Sequence, residues 1–140
     1  SFFFFFALIK SHFGFANAQI AKMEIYAPDR GYARILLVTK YGYDLKYANH
    51  ALRLIWQLEQ FLRDGEIQLP YNKYVVESLL SIKEGRLSKS DFLNLYYAES
   101  DRVSEAATKN LAQLPEHPRI DIINELLVGF YEAYYYGKTI

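Results

Sequence analysis

Basic side chains recur on one face of a predicted helix near the middle of the chain. They are Lys46, His50 and Arg53, followed by the polar Gln57. At about 100° per helical residue, these four side chains fall within an arc of roughly 60°. The apolar residues of the same segment fall on the opposite side: Ala51, Ile55, Leu58 and Leu62. A stripe of this kind suits phosphate binding, because Lys and Arg are favourable ligands of phosphate oxygens.

The start of this helix also favours an anion. Asp44 suits the N-cap position, which makes Lys46 the second helical residue. A cation there opposes the helix dipole at a cost of about 0.3–1 kcal/mol, and a bound anion would reverse the sign. Backbone N–H groups, Lys46 and Lys40 could then share one phosphate group. Asp44 is predicted to be a cap rather than a catalytic carboxylate, and His50 is either solvated or a ligand contact.

Charge is distributed unevenly along a chain whose 16 basic and 16 acidic residues cancel. Between Arg30 and Arg53, five basic residues face a single acidic one, whereas between Glu99 and Glu132 seven acidic residues outnumber three basic ones. These stretches are either binding surfaces or two solvated faces. No metal site is predicted, because His12 and His117 stand alone without metal-ligand spacing. Glycine-rich phosphate loops and serine nucleophile motifs are also missing from the sequence.

The elements that must position these residues are helices. Apolar residues recur every three or four positions over about 2–25, 45–63, 73–84, 88–114 and 119–136. The fold class predicted is therefore all-α, with about five helices in a compact bundle. Residues 32–39 are ambiguous between a short strand and a helical turn, and residues 66–70 are predicted to be a short extended connector.

Local signals place several helix ends. Asn72 is a candidate N-cap, and Gly65 and Gly85 are candidate terminators. Ser88 and Asp91 have the spacing of a capping box, with Asp in the usual Glu position. Flanking it, the apolar pair Leu87 and Phe92 is spaced as a hydrophobic staple.

Length and composition indicate one folded domain over residues 1–140. Hydrophobic residues make up 51% and aromatic residues 17%, which excludes intrinsic disorder. The absence of Cys excludes disulfides and thiolate zinc sites. The apolar run Phe2–Ile9 has no basic residue before it, so it does not resemble a signal peptide, and it is far shorter than the about 20 residues of a membrane span. We therefore expect a soluble, cytoplasmic protein with no membrane partner.

The string KYGYDLKYANHALRL at Lys40–Leu54 resembles a motif of predicted nucleotidyltransferases of the DNA polymerase β superfamily, of the RNA-ligase-associated type. The family pattern Gly-Tyr-Asp-x-Lys-x-Ala-x-His-x-x-Arg-Leu is matched by Gly42, Tyr43, Asp44, Lys46, Ala48, His50, Arg53 and Leu54. Flanking similarity extends over most of the chain, including Phe13–Ala16 with Gln19 and Lys22, and the Ile82–Gly85 turn.

The resemblance implies that the chain is the C-terminal, substrate-binding half of a larger nucleotidyltransferase. The Gly-Ser turn and the Asp-x-Asp pair of the family's palm domain do not occur in this sequence. Implied partners are a nucleoside triphosphate, Mg²⁺, and a palm domain or second chain; nucleic acid is a further candidate. The implied nucleotide-binding residues are Lys40, Asp44, Lys46, His50 and Arg53, and no catalytic residue is assigned.

An alternative function is a helical protein–protein interaction module with no catalytic role. Tyr is enriched at interface anchors, and the chain has 13 Tyr and 10 Phe residues. The run Phe2–Phe6 and the cluster Tyr134–Tyr136 are the candidate docking surface.

Overall fold

A computed structural model describes residues 2–24, 31–65 and 69–110 of the chain. Within these ranges it contains helices and no strand, which confirms the predicted all-α class. The helices are α1 Phe2–Glu24, α2 Tyr32–Tyr41, α3 Leu45–Asp64, α4 Lys73–Lys83 and α5 Lys89–Asn110. None of these helices is long and apolar enough to cross a bilayer.

Helix α3 lies at the centre of the described bundle and packs against all four other helices, most extensively against α1. Its apolar residues at the predicted core positions, including Ala51, Ile55 and Leu58, are fully buried, and Leu62 is partly buried. Trp56 and His50 are buried as well, although they lie outside that stripe. A helix that is covered on most sides behaves as a core element rather than as a two-faced surface helix.

The predicted helix ends are largely confirmed. The carboxylate of Asp44 and the amide oxygen of Asn72 cap α3 and α4, and Asn72 accepts from the N–H of Val75 at 2.9 Å. Helix α3 ends at Gly65, which adopts the left-handed conformation at φ 74°. Before α5, the hydroxyl of Ser88 accepts from the N–H of Asp91 at 3.0 Å, as one half of a capping box does.

Residues 32–39, which the sequence leaves ambiguous between strand and helix, belong to helix α2. Gly31 precedes α2, and Gly42, with φ 81°, ends it through a bond from its N–H to the carbonyl of Val38. Helix α2 packs lightly on α3 and leaves Leu36 and Leu37 about half exposed. Its short run of β-branched and aliphatic residues does not distinguish strand from helix without the tertiary contacts.

Several sequence predictions fall outside the described residues. They are the helix over 119–136, the end of the fourth predicted helix beyond Asn110, and the connector residues 66–68. The Tyr134–Tyr136 cluster lies there too, as do the side chains of Phe2–Phe5.

Candidate anion-binding site

Asp44 both caps the start of α3 and forms an ion pair with a residue of α2. One carboxylate oxygen accepts from the N–H groups of Lys46, at 3.1 Å, and Tyr47, at 3.4 Å. The other accepts from Nε of Arg34 at 2.8 Å. Both residues of this ion pair are buried, with 2% of Asp44 and 5% of Arg34 exposed. The cap prediction is therefore confirmed, and the same carboxylate links α2 to α3.

This cap corrects one detail of the predicted anion site. Helix N-termini bind anions through backbone N–H groups that lack a partner. At Lys46 and Tyr47 the carboxylate of Asp44 already takes those N–H groups. An added anion would therefore be held mainly by side chains and by the helix dipole.

The ring of Tyr47 lies beside cations from two other helices, α1 and α2. The guanidinium carbon of Arg34 lies 4.5 Å from the ring centroid, and the ammonium of Lys22, from α1, lies 5.8 Å from it. Cations over an aromatic face are attracted to the negative face of the ring. Tyr47, itself 3% exposed, thus orients cations from α1 and α2 beside the start of α3.

His50 and Arg53 are directly bonded. Nη2 of Arg53 donates to Nδ1 of His50 at 2.7 Å. His50 is only 6% exposed, so the interpretation of it as a solvated histidine on a polar face is wrong. The reason is that α3 is the central helix and its neighbours cover it on most sides. Desolvation, then the positive charges of Arg53, Lys46 and Arg34, lower the pKa of His50 to about 4, against a smaller opposing effect of Asp44.

Lys46 belongs to the same electrostatic cluster. Its pKa is lowered first by desolvation and then by the charge of Arg34, while Asp44 acts in the opposite direction. Together with Arg34, His50 and Arg53, Lys46 forms the cationic cluster of this site. Among the described residues, three cations lower the pKa of His50 and one carboxylate raises it.

Two other predicted residues, Lys40 beside the phosphate and Gln57 in the stripe, are placed differently. Lys40 is exposed in the last turn of α2, with its ammonium 5.1 Å from the centroid of the Tyr41 ring. Its charge is not among those that shift the pKa of His50 or Lys46. Gln57 continues the stripe along α3, but its amide donates to the hydroxyl of Tyr71 at 2.7 Å, which ties α3 to the segment before α4.

Arg34 is the residue of the cluster that sequence reasoning missed. It lies in the basic stretch between Arg30 and Arg53, but its segment is ambiguous between strand and helix in the sequence, so no spacing connects it to Asp44. Only the turn at Gly42 and Tyr43, between α2 and α3, brings the two together. A buried Arg–Asp pair ten residues apart has no sequence signature.

His12 has a structural role. It is fully buried in α1, and its Nε2 lies 2.5 Å from the carbonyl oxygen of Leu54 in α3. Burial lowers the pKa of His12 to about 4 against the opposing effect of that hydrogen bond, so the ring is neutral and Nε2 carries the donated proton. Within the described part of the chain, no group of three or more His, Asp and Glu residues could hold a metal ion.

A separate groove runs between α1 and α5. It encloses about 770 Å³ and is lined by apolar residues of α1 and by small polar residues of α5. Phe6, Ile9 and Phe13 form the apolar side, and Ser100, Ser104 and Thr108 lie on the other. Neither α2 nor α3 contributes to its lining, so it is distinct from the cationic cluster.

Comparison with known proteins adds no relative. No family model, no curated protein and no solved structure matches this chain.

Proposed function

We propose that this chain is the helical, phosphate-binding portion of a nucleotidyltransferase, and that the cationic cluster holds phosphates of a nucleoside triphosphate. The observation that carries the proposal is the convergence of Arg34, Lys46 and Arg53 on His50 at the start of one helix. Arg and Lys side chains that share a partly buried space are favourable ligands of phosphate oxygens, which supports an anionic ligand at this place.

Each residue has a distinct role in this proposal. Arg53 offers a planar fork that suits two phosphate oxygens, and Lys46 supplies a compact charge beside the positive end of the α3 dipole. Arg34 adds positive potential while its Nε remains bonded to Asp44. His50 contributes a ring nitrogen at the centre of the group. Asp44 sets the position of Arg34 and caps α3, so we assign it a positioning role.

The transferase part of the proposal rests on the motif resemblance. It implies transfer of a nucleoside monophosphate to an acceptor with release of pyrophosphate, in which Mg²⁺ is held by carboxylates of a palm domain or second chain. The helical portion would hold the triphosphate or the acceptor for that partner. Nucleotide binding is thus the property to test in the chain itself.

The test is the affinity for ATP measured by isothermal titration calorimetry. We expect Lys46→Gln and Arg53→Gln each to weaken binding by about 10- to 150-fold, since one charge-assisted hydrogen bond contributes about 1.5–3 kcal/mol. Lys109→Gln is the matched control, because Lys109 is 74% exposed on α5 and pairs only with Glu105 among the described residues. Binding should weaken as salt rises from 50 to 200 mM. Equal affinity in all three variants would refute the proposal.

The interaction module is favoured by a different observation. Helix α2 exposes Tyr32, Leu36 and Leu37, and an exposed apolar patch is typical of contact surfaces. This alternative gains support if wild-type chain binds no ATP and if Leu36→Asp and Leu37→Asp convert an oligomer to a monomer in sedimentation. A wild-type monomer would count against it.

A further inference from the structure

The groove between α1 and α5 lies between two helices that both pack on α3. Ile9 and Phe13 of α1 supply apolar surface to it while they are only partly buried, and Ala107 of α5 lines it as well. A Cβ added at Gly14, on the same wall, would meet nothing within 4 Å among the described residues. The groove, of about 770 Å³, therefore has room for further side chains beside α1.

The chain leaves the described bundle at one end of this groove. Helix α5 ends at Asn110, two residues beyond Thr108, which lines the groove. The connecting residues 111–118 contain Pro115 and Pro118, which do not continue a helix. A connection of roughly eight residues is typical between neighbouring antiparallel helices of a bundle. The segment that follows, residues 119–136, can therefore return along α5 on the side of the groove.

The sequence of residues 119–136 has the pattern of a helix with one apolar face. At about 100° per residue, its large apolar side chains cover roughly half of the helix circumference: Ile122, Ile123, Leu126, Leu127, Phe130 and Tyr131. Asp121, Glu125 and Glu132 fall within an arc of roughly 40° at the centre of the opposite half. A helix with this pattern buries its apolar half against other helices and leaves its acidic side in water.

The lengths of the groove and of the apolar face agree. On α5 the groove extends from Ser100 to Thr108, which is about 12 Å along the helix axis. The apolar face from Ile122 to Tyr131 spans about 14 Å in helical conformation. Small side chains on the α5 wall, such as that of Ser104, allow another helix to approach closely, because interaxial distance depends on the side chains at the contact.

We propose that the segment 119–136 of this same chain docks in the groove as a helix antiparallel to α5. Its apolar face then contacts Ile9 and Phe13, and its acidic side faces solvent. The Tyr134–Tyr136 cluster would lie toward the Asn17 end of the groove, opposite the end at Thr108. This inference is independent of the proposed function, because no residue of the cationic cluster takes part in it.

The absence of Cys from the chain makes crosslinking a clean test. The pair Ser104→Cys with Leu126→Cys joins the groove wall to the apolar face, and Glu105→Cys with Leu126→Cys is the matched control. Glu105 lies at the same level of α5 with its side chain 73% exposed, outside the groove lining. We expect a short bis-maleimide to link the first pair within monomers at least tenfold faster than the control pair, because docking raises the effective concentration of the two thiols.

Two results of this experiment would overturn the inference. Equal rates for the two pairs would show that the segment does not lie in the groove. Crosslinked dimers of the Ser104→Cys pair would assign the groove to a second copy of the chain. Mass spectrometry of the digested product distinguishes links within one chain from links between chains.

A second measurement does not depend on the helical register or on Leu126→Cys. In the full chain, Ser104→Cys should react with a maleimide at least tenfold more slowly than Glu105→Cys, because a covered thiol reacts only when the segment undocks. Adding Phe130→Asp should restore fast reaction at Ser104→Cys while leaving the rate at Glu105→Cys unchanged. Equal rates at the two thiols, or slow reaction that Phe130→Asp does not relieve, contradict the docked segment.

Discussion

Replacing Asp44 tests whether the charge at the start of α3 holds α2 to the bundle. Asn is also a good N-cap, so Asp44→Asn retains an acceptor for the N–H groups of Lys46 and Tyr47. What it removes is the negative charge that faces Arg34 at 2.8 Å in a buried position. Asp44→Ala removes the charge and the cap together. The two variants therefore separate the ion pair from the cap.

The expected magnitudes follow from that separation. Removing one partner of a buried ion pair costs about 3–5 kcal/mol, because the other charge stays buried without it. Arg34 keeps its contact with the Tyr47 ring when the carboxylate is removed, so the loss should lie at the lower end of this range. We therefore expect Asp44→Asn to lower the free energy of unfolding by about 3 kcal/mol. Loss of a cap adds about 1 kcal/mol, which gives about 4 kcal/mol for Asp44→Ala.

The assay is urea unfolding at pH 7, followed by the fluorescence of Trp56. Asp101→Asn is the control, because Asp101 is exposed on α5 and should stay within about 0.5 kcal/mol of wild type. A loss below 1 kcal/mol in Asp44→Asn would refute the assigned role of the ion pair. In the proposed function, removing this carboxylate also removes a repulsion on phosphate, so ATP should stabilise Asp44→Asn more than wild type.

Two further predictions concern the turns and the pH dependence of stability. A Cβ at Gly85, where φ is 70°, would overlap the ring of Tyr41, whereas one at Gly42, at φ 81°, meets nothing within 4 Å. We expect Gly42→Ala to cost about 1 kcal/mol and Gly85→Ala at least 1 kcal/mol more in urea unfolding, and equal costs would contradict the close packing at Gly85. His12 and His50 both have a pKa near 4 in the folded chain against 6.5 for the ordinary group, so the unfolded chain binds more protons between these values. Stability should be full above pH 6.5 and fall toward pH 4, by at most about 3 kcal/mol per histidine, and His12→Gln should remove about half of that slope. An unchanged slope in His12→Gln would show that its titration is not coupled to folding.

Local signals predicted most of the helix ends because capping is a short-range effect. The acceptors of Asp44, Asn72 and Ser88 lie within three residues of the N–H groups they bind, so spacing alone reveals them. The left-handed glycine at Gly65 is equally local. The register of the basic stripe on α3 followed from the same geometry, since Lys46, His50 and Arg53 are four and three residues apart.

The burial of His50 could not be predicted in this way. The pattern of α3 places His50 on an outer face because the apolar face lies elsewhere, and the pattern of one helix does not reveal how many neighbours cover it. In the structure His50 is 6% exposed and accepts from Arg53, and its burial, together with the nearby cations, lowers its pKa to about 4.

The sequence by itself therefore determined the all-α class, the helix caps and the grouping of three basic residues on one side of α3, because periodicity and capping act over a few residues. The tertiary structure decided the pairing of Arg34 with Asp44, the cations around Tyr47 and the charge state of His50. Those properties depend on desolvation and on charges brought together from separate helices, and no spacing along the chain encodes them.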